Sequence, residues 1–264
     1  MWLSVLPVAT LWEREIVRFV RDRHRLLGAI GQPLLFWLLV GYGLDASFLP
    51  AGQPLGMSYL EYIYPGTLML IVLFTAIFST ITVVEDRREG FMQSVLAAPV
   101  PRASLVLGKL FGGTTLGMLE GLVFLVFALH LNIPLTLEVL AYTAGFLFLS
   151  ALGLTGLGFA IAWRMESTAG FHAIMNVFLL PMWLLSGAFF PPSGVPSWLE
   201  WIIWINPLTY SMAGLRRVLY LGAPFEFSAL PSLKVCILIT SLFVVCTFGI
   251  SVYQVMRRGE GGLR

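Results

Sequence analysis

The side chains that could do chemistry are few, and they are scattered along the chain. The three histidines, His24, His130 and His172, are far apart, and the two cysteines, Cys236 and Cys246, lie ten residues apart in one apolar run. Neither set has the spacing of a metal site or a disulfide framework. The HExxH, GxSxG and P-loop patterns are absent from the sequence. We therefore expect no catalytic residue and no metal site, and without a P-loop this chain cannot hydrolyse ATP by itself.

One acidic residue, Glu120, stands inside a long apolar segment, 105–131. If this segment is a membrane-spanning helix, its rise of about 1.5 Å per residue puts the Glu120 carboxyl near the middle of the bilayer. An acid there costs about 2.5 kcal/mol or more, so it should face protein or a water-filled cavity. Two interpretations stay open: a role on a translocation pathway or in gating, and a buried carboxyl that holds helices together.

The composition predicts that the elements which position these residues lie in a membrane. The chain has 264 residues, of which 58% are hydrophobic and 11% are charged, and its mean hydropathy is +0.87. A soluble domain carries about 25% charged residues, and a disordered chain needs low hydrophobicity and high net charge. Both classes are excluded, and a net charge of +2 gives no reason to expect nucleic acid as a partner.

Six segments are long and apolar enough to cross a bilayer as helices. They are 26–44, 62–84, 105–131, 139–163, 169–190 and 235–256. The sequence therefore predicts an all-α membrane protein with six transmembrane helices in one domain, 1–264.

The basic residues predict the orientation of these helices. Thirteen of the 16 Lys and Arg residues fall before the first span, between spans two and three, between four and five, or after the sixth. The other three, Arg216, Arg217 and Lys234, fall on the opposite side. By the positive-inside rule, both termini are expected in the cytoplasm.

Two flanking segments have patterns of their own. Within 1–25, apolar residues from Val8 to Val20 repeat every three or four positions, which predicts an amphipathic helix lying in the cytoplasmic membrane interface. Within 191–232, a Trp-rich run, 198–205, and a second short helical stretch, 208–220, are joined at Asn206-Pro207. This pattern favours an external re-entrant element, and the alternative is an aromatic helix lying flat on the outer leaflet.

The cytoplasmic loop 85–104 contains a short helical pattern between charges and prolines. Phe91, Met92, Val95 and Leu96 recur at helical spacing. Exposed apolar residues on a short helix are typical of helix-in-groove docking. The alternative is a helix that lies on lipid headgroups.

Small residues mark a packing stripe in the third span. Gly113, Gly117 and Gly121 repeat every four residues, a pattern that lets membrane helices approach closely. The pattern does not tell whether the neighbour belongs to the same subunit or to a second one.

Three local patterns resemble the integral membrane subunits of ATP-binding-cassette exporters of the type-two permease class, which includes drug-resistance, nodulation-factor and polysaccharide export permeases. The first pattern is the acidic-basic-Gly segment from Glu85, followed by a short helix and by Pro101-Arg102. The second is Leu185-Ser186-Gly187 followed by Phe190-Pro191, and the third is 206–210 (NPLTY) followed by Arg216. Their order and spacing make the match specific, and the six spans, the interfacial helix and the chain length also agree, so the resemblance covers nearly the whole chain.

The resemblance implies roles for particular residues. A coupling helix that sits in a cleft of a separate ATPase would be formed by Glu85, Arg87, Arg88, Glu89, Gly90, Phe91, Met92, Val95 and Leu96. The external re-entrant element would include Gly187, Pro191, Asn206, Pro207, Tyr210 and Arg216. The partners implied are two P-loop ATPase subunits that bind ATP and Mg²⁺, a second copy of this chain, and membrane lipid. The resemblance assigns no role to Glu120.

The function expected from these features is export of an amphipathic drug-like or lipid- or glycan-linked substrate across the cell (inner) membrane. A competing hypothesis is a secondary transporter that uses an ion gradient and has Glu120 as its proton site. A lone deep acid and the lack of clear similarity between the two halves disfavour it.

Overall fold

The structure, a computed structural model, describes residues 5–45, 56–131, 133–192, 195–225, 227 and 230–261. Residues 1–4 of the predicted interfacial helix lie outside the described ranges, as do 193–194, 226 and 228–229 of the external region and the basic residue Arg264. Within the described ranges all regular secondary structure is helical, and six helices are long and apolar enough to cross a membrane. The predicted all-α class with six spans is confirmed.

The helices follow one another with short connections. In chain order they are α1 (Val5–Arg21), α2 (Arg23–Asp45), α3 (Tyr59–Arg88), α4 (Phe91–Ala97), α5 (Arg102–Phe124), α6 (Leu137–Ala162), α7 (Thr168–Trp183), α8 (Ser197–Ile205), α9 (Pro207–Leu219) and α10 (Leu233–Gly261). A 3₁₀ turn, Leu125–His130, extends α5, and a π turn, Leu184–Ala188, extends α7. The spans are α2, α3, α5, α6, α7 and α10.

Helix α3 is the centre of the bundle. Its most apolar stretch is 94% buried, against 22% for α2, α7 and α10, and it packs on α2, α5, α6 and α7. The helix starts with a capping box in which Ser58 and Glu61 satisfy each other's backbone N–H groups. It ends at Arg88, just before Gly90, whose φ of 81° turns the chain into α4.

Helix α1 is separate from the first span, but it ends at Arg21, earlier than the predicted segment 1–25. The chain breaks at Asp22, whose side chain accepts a hydrogen bond from Arg25 N at 3.2 Å and so begins α2. Helix α1 then packs along α5, where Gly108 and Gly112 leave space for it. Its position relative to a membrane surface stays a prediction.

Helices α8 and α9 lie at the end of the bundle opposite α4. Helix α9 packs on α6 and α10 and is almost fully buried. Helix α8 is mostly exposed, and only Ile203 is buried. Asn206 separates the two helices because its side chain caps α9 by accepting from Leu208 N at 3.0 Å.

Candidate functional site

Helix α4 is a seven-residue helix outside the spans, held at both ends. Gly90 precedes it in the left-handed conformation, which favours glycine. At the other end Arg102 Nη1 donates to Leu96 O at 2.8 Å. Pro99 and Pro101 follow and prevent the helix from continuing.

The apolar residues of α4 that are named above face the rest of the chain rather than solvent. Met92 is 1% exposed, so the expectation that it belongs to an exposed apolar face is wrong. Phe91, Val95 and Leu96 are half-buried against the core. A helix this short needs such contacts to stay folded. The residues that α4 presents to solvent are instead Gln93, Ser94 and Ala97.

Phe91 connects α4 to a group of buried charges. The guanidinium of Arg14 lies over the Phe91 ring, 3.8 Å from its centroid, a cation–π geometry. We call the charged group that surrounds Arg14 the charge cluster. It consists of Arg14, Glu15, Arg18, Arg25, Glu85, Asp86 and Lys109.

Asp86 is the centre of the charge cluster, with no exposed surface. Arg14 donates to its two oxygens at 2.7 and 3.0 Å, and Arg18 donates at 2.7 Å. Lys109 Nζ also contacts Asp86, and it donates to Glu15 Oε1 at 2.7 Å. One carboxylate therefore ties α1, α3 and α5 together.

The charge cluster is close to electrically neutral. Glu85 accepts from Arg18 at 2.9 Å and from Arg25 at 2.7 Å. Four cations thus face three carboxylates, and Asp22, 2.8 Å from Arg25 Nε, makes the balance even. Burial alone would lower the pKa of Arg14, but the hydrogen bonds and charge of Asp86, with Glu15, raise that pKa above its usual value. Arg14 therefore stays charged.

Not all of the predicted coupling residues that precede α4 lie on its solvent-exposed side. Arg87 donates to Met165 O at 3.1 Å and to Ala162 O at 3.3 Å, so it caps the end of α6. Arg88 and Glu89 are exposed. Of the three, only these two extend the solvent-facing surface of α4.

Glu120 is buried inside the chain, between α5 and α3. Its side chain is 5% exposed and contacts the hydroxyl of Thr75. The predicted Gly stripe lies on the same part of α5. A Cβ on Gly113 would come 2.5 Å from Ser79 Oγ, one on Gly117 3.6 Å from Ala151, and one on Gly121 3.1 Å from Leu147. The stripe packs against α3 and α6 of the same chain.

At the opposite end, two of the predicted re-entrant residues, Gly187 and Arg216, meet at the Gly187 carbonyl. Gly187 has a φ of 82°, and its carbonyl accepts from Tyr62 Oη at 3.1 Å and from Arg216 Nη2 at 3.0 Å. Arg216 is 2% exposed, donates also to Tyr62 O at 3.1 Å, and lies over the Tyr62 ring at 4.1 Å. No carboxylate of the described residues lies within ion-pair distance of it. Arg216 therefore fastens α9 to α3 and to the end of α7.

The other external residues hold α8 and α9 in place. Asn206 Nδ2 donates to Met182 O at 2.7 Å, Tyr210 Oη donates to Trp204 O at 3.0 Å, and Pro207 is the first residue of α9. Pro191 is buried after the π turn. Helix α8 exposes Trp198 (66%) and Trp201 (72%) on one face. Whether this face meets lipid headgroups or enters the membrane stays a prediction.

Sequence reasoning missed the buried ion pairs and a second glycine surface. Lys109 is a basic residue near the start of the predicted third span, and Asp86 is an acid just after the predicted second span, so an ion pair between these neighbouring ends was a usable signal. Gly108 and Gly112 face α1, where an added Cβ would come 2.6 Å from Leu11 and Glu15. Their four-residue spacing is the same signal as that of the predicted stripe.

Known proteins match this chain over most of its length. The family described as ABC-2 type transporter matches residues 7–220. The transport permease ycf38 of Cyanophora paradoxa is 29% identical over 246 residues, 92% of this chain and 80% of that protein. The inner membrane transport permease YadH of Escherichia coli (strain K12) is 23% identical over 82% of this chain and 84% of its own length. Nodulation protein J of Rhizobium meliloti (strain 1021) is 26% identical over 85% and 87%. With a family match across more than half of its residues, this chain belongs to the ABC-2 type transporter family.

Proposed function

We propose that this chain is the membrane-spanning permease subunit of an ATP-binding-cassette exporter, working as two copies with two P-loop ATPase subunits. ATP and Mg²⁺ would be bound by those partners, and this chain would need no cofactor. The permease would alternate between inward- and outward-facing states as the ATPases close on ATP. It would lie in the cell (inner) membrane with both termini in the cytoplasm.

The position of α4 carries this proposal. The helix is anchored to the permease by Met92, while Gln93, Ser94 and Ala97 are free to meet another protein. Because its apolar residues pack on its own chain, α4 would offer a partner a rigidly held surface of small and polar residues instead of the apolar anchors expected from the sequence. A lipid-lying helix would instead expose its apolar face.

The charge cluster supplies a path from α4 into the spans. A displacement of α4 moves Phe91, and Phe91 contacts the guanidinium of Arg14. Arg14 is bonded to Asp86 on α3, which is in turn bonded to Lys109 on α5. Motion of the ATPase would therefore reach α1, α3 and α5 together.

The substrate would pass between two copies of the chain. Helices α2 and α7 both pack on α3 and are otherwise exposed along most of their length. Each exposes one amide side chain within its span, Gln32 on α2 and Asn176 on α7. Amides facing lipid alone would be costly, whereas amides at a subunit contact or an aqueous path can be bonded. The exposed aromatic and apolar residues beside them suit an amphipathic or lipid-linked substrate.

The docking surface can be tested with two matched substitutions at the same end of the bundle. Ser94 on α4 and Ala169 at the start of α7 are both exposed. We expect Ser94→Trp to weaken binding of the ATPase by about tenfold or more, equivalent to about 1.4 kcal/mol. Ala169→Trp should leave binding unchanged. Binding is measured on the purified full-length permease with its ATPase. Unchanged binding by a correctly folded Ser94→Trp variant would refute the assignment of α4.

The energy source separates this proposal from a gradient-driven transporter. Transport into vesicles should stop when the partner ATPase carries a substitution that abolishes ATP hydrolysis. Transport that persisted in that complex and followed an imposed proton gradient would favour the competing function. A coupling-ion site needs access to each side of the membrane in turn, whereas Glu120 is enclosed by its own chain. This enclosure supports an ATP-driven function.

A further inference from the structure

Glu120 has an unusual hydrogen-bonding environment for an acid. Its side chain is 95% enclosed, and its one hydrogen-bond partner among the described residues is Thr75 of α3, which contacts Oε2. The second oxygen, Oε1, is buried without any partner in the described part of the chain. A carboxylate normally accepts several hydrogen bonds, so this pattern points to a different protonation state.

The hydroxyl of Thr75 has one hydrogen and lies close to two oxygens. Its Oγ1 is 2.8 Å from Ile71 O, one turn earlier in α3, and it also contacts Glu120 Oε2. If the hydrogen points to an ionised Glu120, Thr75 Oγ1 and Ile71 O face each other as two acceptors. If the hydrogen points to Ile71 O, the contact with Glu120 is attractive only when Glu120 itself carries a proton. Protonated Glu120 is the one arrangement that puts a hydrogen in both contacts.

The charges around Glu120 offer an ionised carboxylate no stabilisation. On α5 the nearest cation is Lys109, eleven residues or about 16 Å along the helix, and it is already paired with Glu15 and Asp86. Helix α6 brings Leu147 and Ala151 against the neighbouring glycines, and neither titrates.

The remaining titratable groups on the packed helices are also distant or neutral. On α3 they lie ten or more residues from Thr75: Tyr59, Glu61, Tyr62 and Tyr64 near one end, and Glu85, Asp86, Arg87 and Arg88 near the other. Tyr64 donates to Phe124 O at 2.9 Å. On α6 the charged residue is Glu138, in the first turn. No positive charge from these elements faces Glu120.

We propose that Glu120 is a proton-binding site: it is a neutral carboxylic acid that donates its hydrogen to Thr75 and latches α5 to α3 in the interior of the membrane. Ionisation would place an unpaired charge among apolar groups. Loss of the proton would therefore also remove the hydrogen bond by which Glu120 holds α5 against α3. Separation of α5 from α3, or entry of water between them, would release the proton. The proposal concerns this chain alone and does not depend on an ATPase partner.

Infrared spectroscopy of the full-length protein in lipid at neutral pH tests the protonation state. A protonated carboxyl has a C=O stretching band well separated from the carboxylate bands. We expect Glu120→Gln to remove a protonated-carboxyl band, whereas Glu138→Gln, at an exposed acid in α6, should remove carboxylate intensity only. Loss of carboxylate intensity in Glu120→Gln would overturn the proposal. If that variant does not fold, Thr75→Val keeps Glu120 and should shift the protonated band towards that of an unbonded acid; an unshifted spectrum would equally overturn it.

The pH dependence of unfolding tests the latch. A Gln side chain can donate an N–H to Thr75 without titrating. A group that holds its proton more tightly in the folded state contributes stability that is lost as the pH rises. We expect the Tm of the wild-type protein to be highest relative to that of Glu120→Gln at acidic pH and to decline against it as the pH rises through neutral, since the unfolded chain releases this proton at acidic pH while the folded chain keeps it. Parallel curves over the whole range would show that no such latch exists.

Discussion

Replacing Asp86 with Asn should be among the most damaging single changes at the charge cluster. The substitution keeps the shape of the side chain and removes one buried negative charge. Arg14, Arg18 and Lys109 would then converge on a neutral amide whose own N–H₂ group repels them. The surrounding cations would be left in excess around a position that is itself shielded from water.

The size of the effect follows from the burial of the pair. Asp86 has no exposed surface and Lys109 is 4% exposed. Two unit charges about 4 Å apart interact by about 4 kcal/mol at an effective dielectric constant near 20. Removing one partner of a buried pair typically costs about 3–5 kcal/mol, and we expect a loss in that range. Lys109→Met should cost less, since Asp86 keeps both guanidinium groups.

The free energy of unfolding, measured by denaturant titration of the purified permease and followed by tryptophan fluorescence, provides the assay. The double variant Asp86→Asn with Lys109→Met restores the charge balance, so its cost should be smaller than the sum of the single costs by about 1–3 kcal/mol. Glu89→Gln is the control, because Glu89 is 64% exposed and 4.0 Å from Arg18. Additive single costs, or an Asp86→Asn loss no larger than that of the control, would refute the role given to Asp86.

Glycine substitutions test the helix packing of α5 and the left-handed backbone at Gly187. Gly113→Ala should cost about 1–3 kcal/mol by overpacking, because its Cβ would lie 2.5 Å from Ser79. Gly117→Ala should be tolerated, since its nearest neighbour would be at 3.6 Å; thermal unfolding of both variants measures the contrast. Gly187→Ala should cost about 1–2 kcal/mol for its left-handed backbone, although a Cβ would clash with nothing closer than 3.5 Å. Gly145→Ala, in open space within α6, is the matched control and should be neutral or slightly stabilising in the same measurement; equal losses at both positions would argue against backbone strain.

The spans were predictable because they depend on composition and length alone. The predicted second span, 62–84, lies within α3, and the sixth, 235–256, lies within α10. No tertiary information is needed to recognise a run of apolar residues that can cross about 30 Å of hydrocarbon. The same simplicity hid how the spans differ, since hydropathy does not reveal that α3 is central and α10 peripheral.

The details of the candidate site were less predictable, because they depend on partners far away in sequence. The amphipathic pattern of α1 suggests an exposed charged face, yet Glu15 is buried because Lys109, 94 residues later, neutralises it. Met92 looks like an exposed anchor until α3 and α4 fold back on each other. Local periodicity gives the face of a helix, and only the fold decides which face is covered.

The charge cluster has a mechanical consequence that an apolar contact between the same helices would lack. Buried ion pairs are often no more stabilising than well-packed apolar residues, so stability alone does not account for the charge cluster. Apolar surfaces can slide past each other at small cost. Each N–H···O bond to Asp86, in contrast, is lost when α1, α3 or α5 shifts by a fraction of the length of that bond. The charge cluster therefore makes these three helices move as one body with α4, through the contact of Arg14 with Phe91. Arg25 of α2 is bonded to the same cluster through Glu85. Under the proposed cycle, the change of shape must then occur away from these bonds, along the exposed faces of α7 and of the part of α2 beyond Arg25.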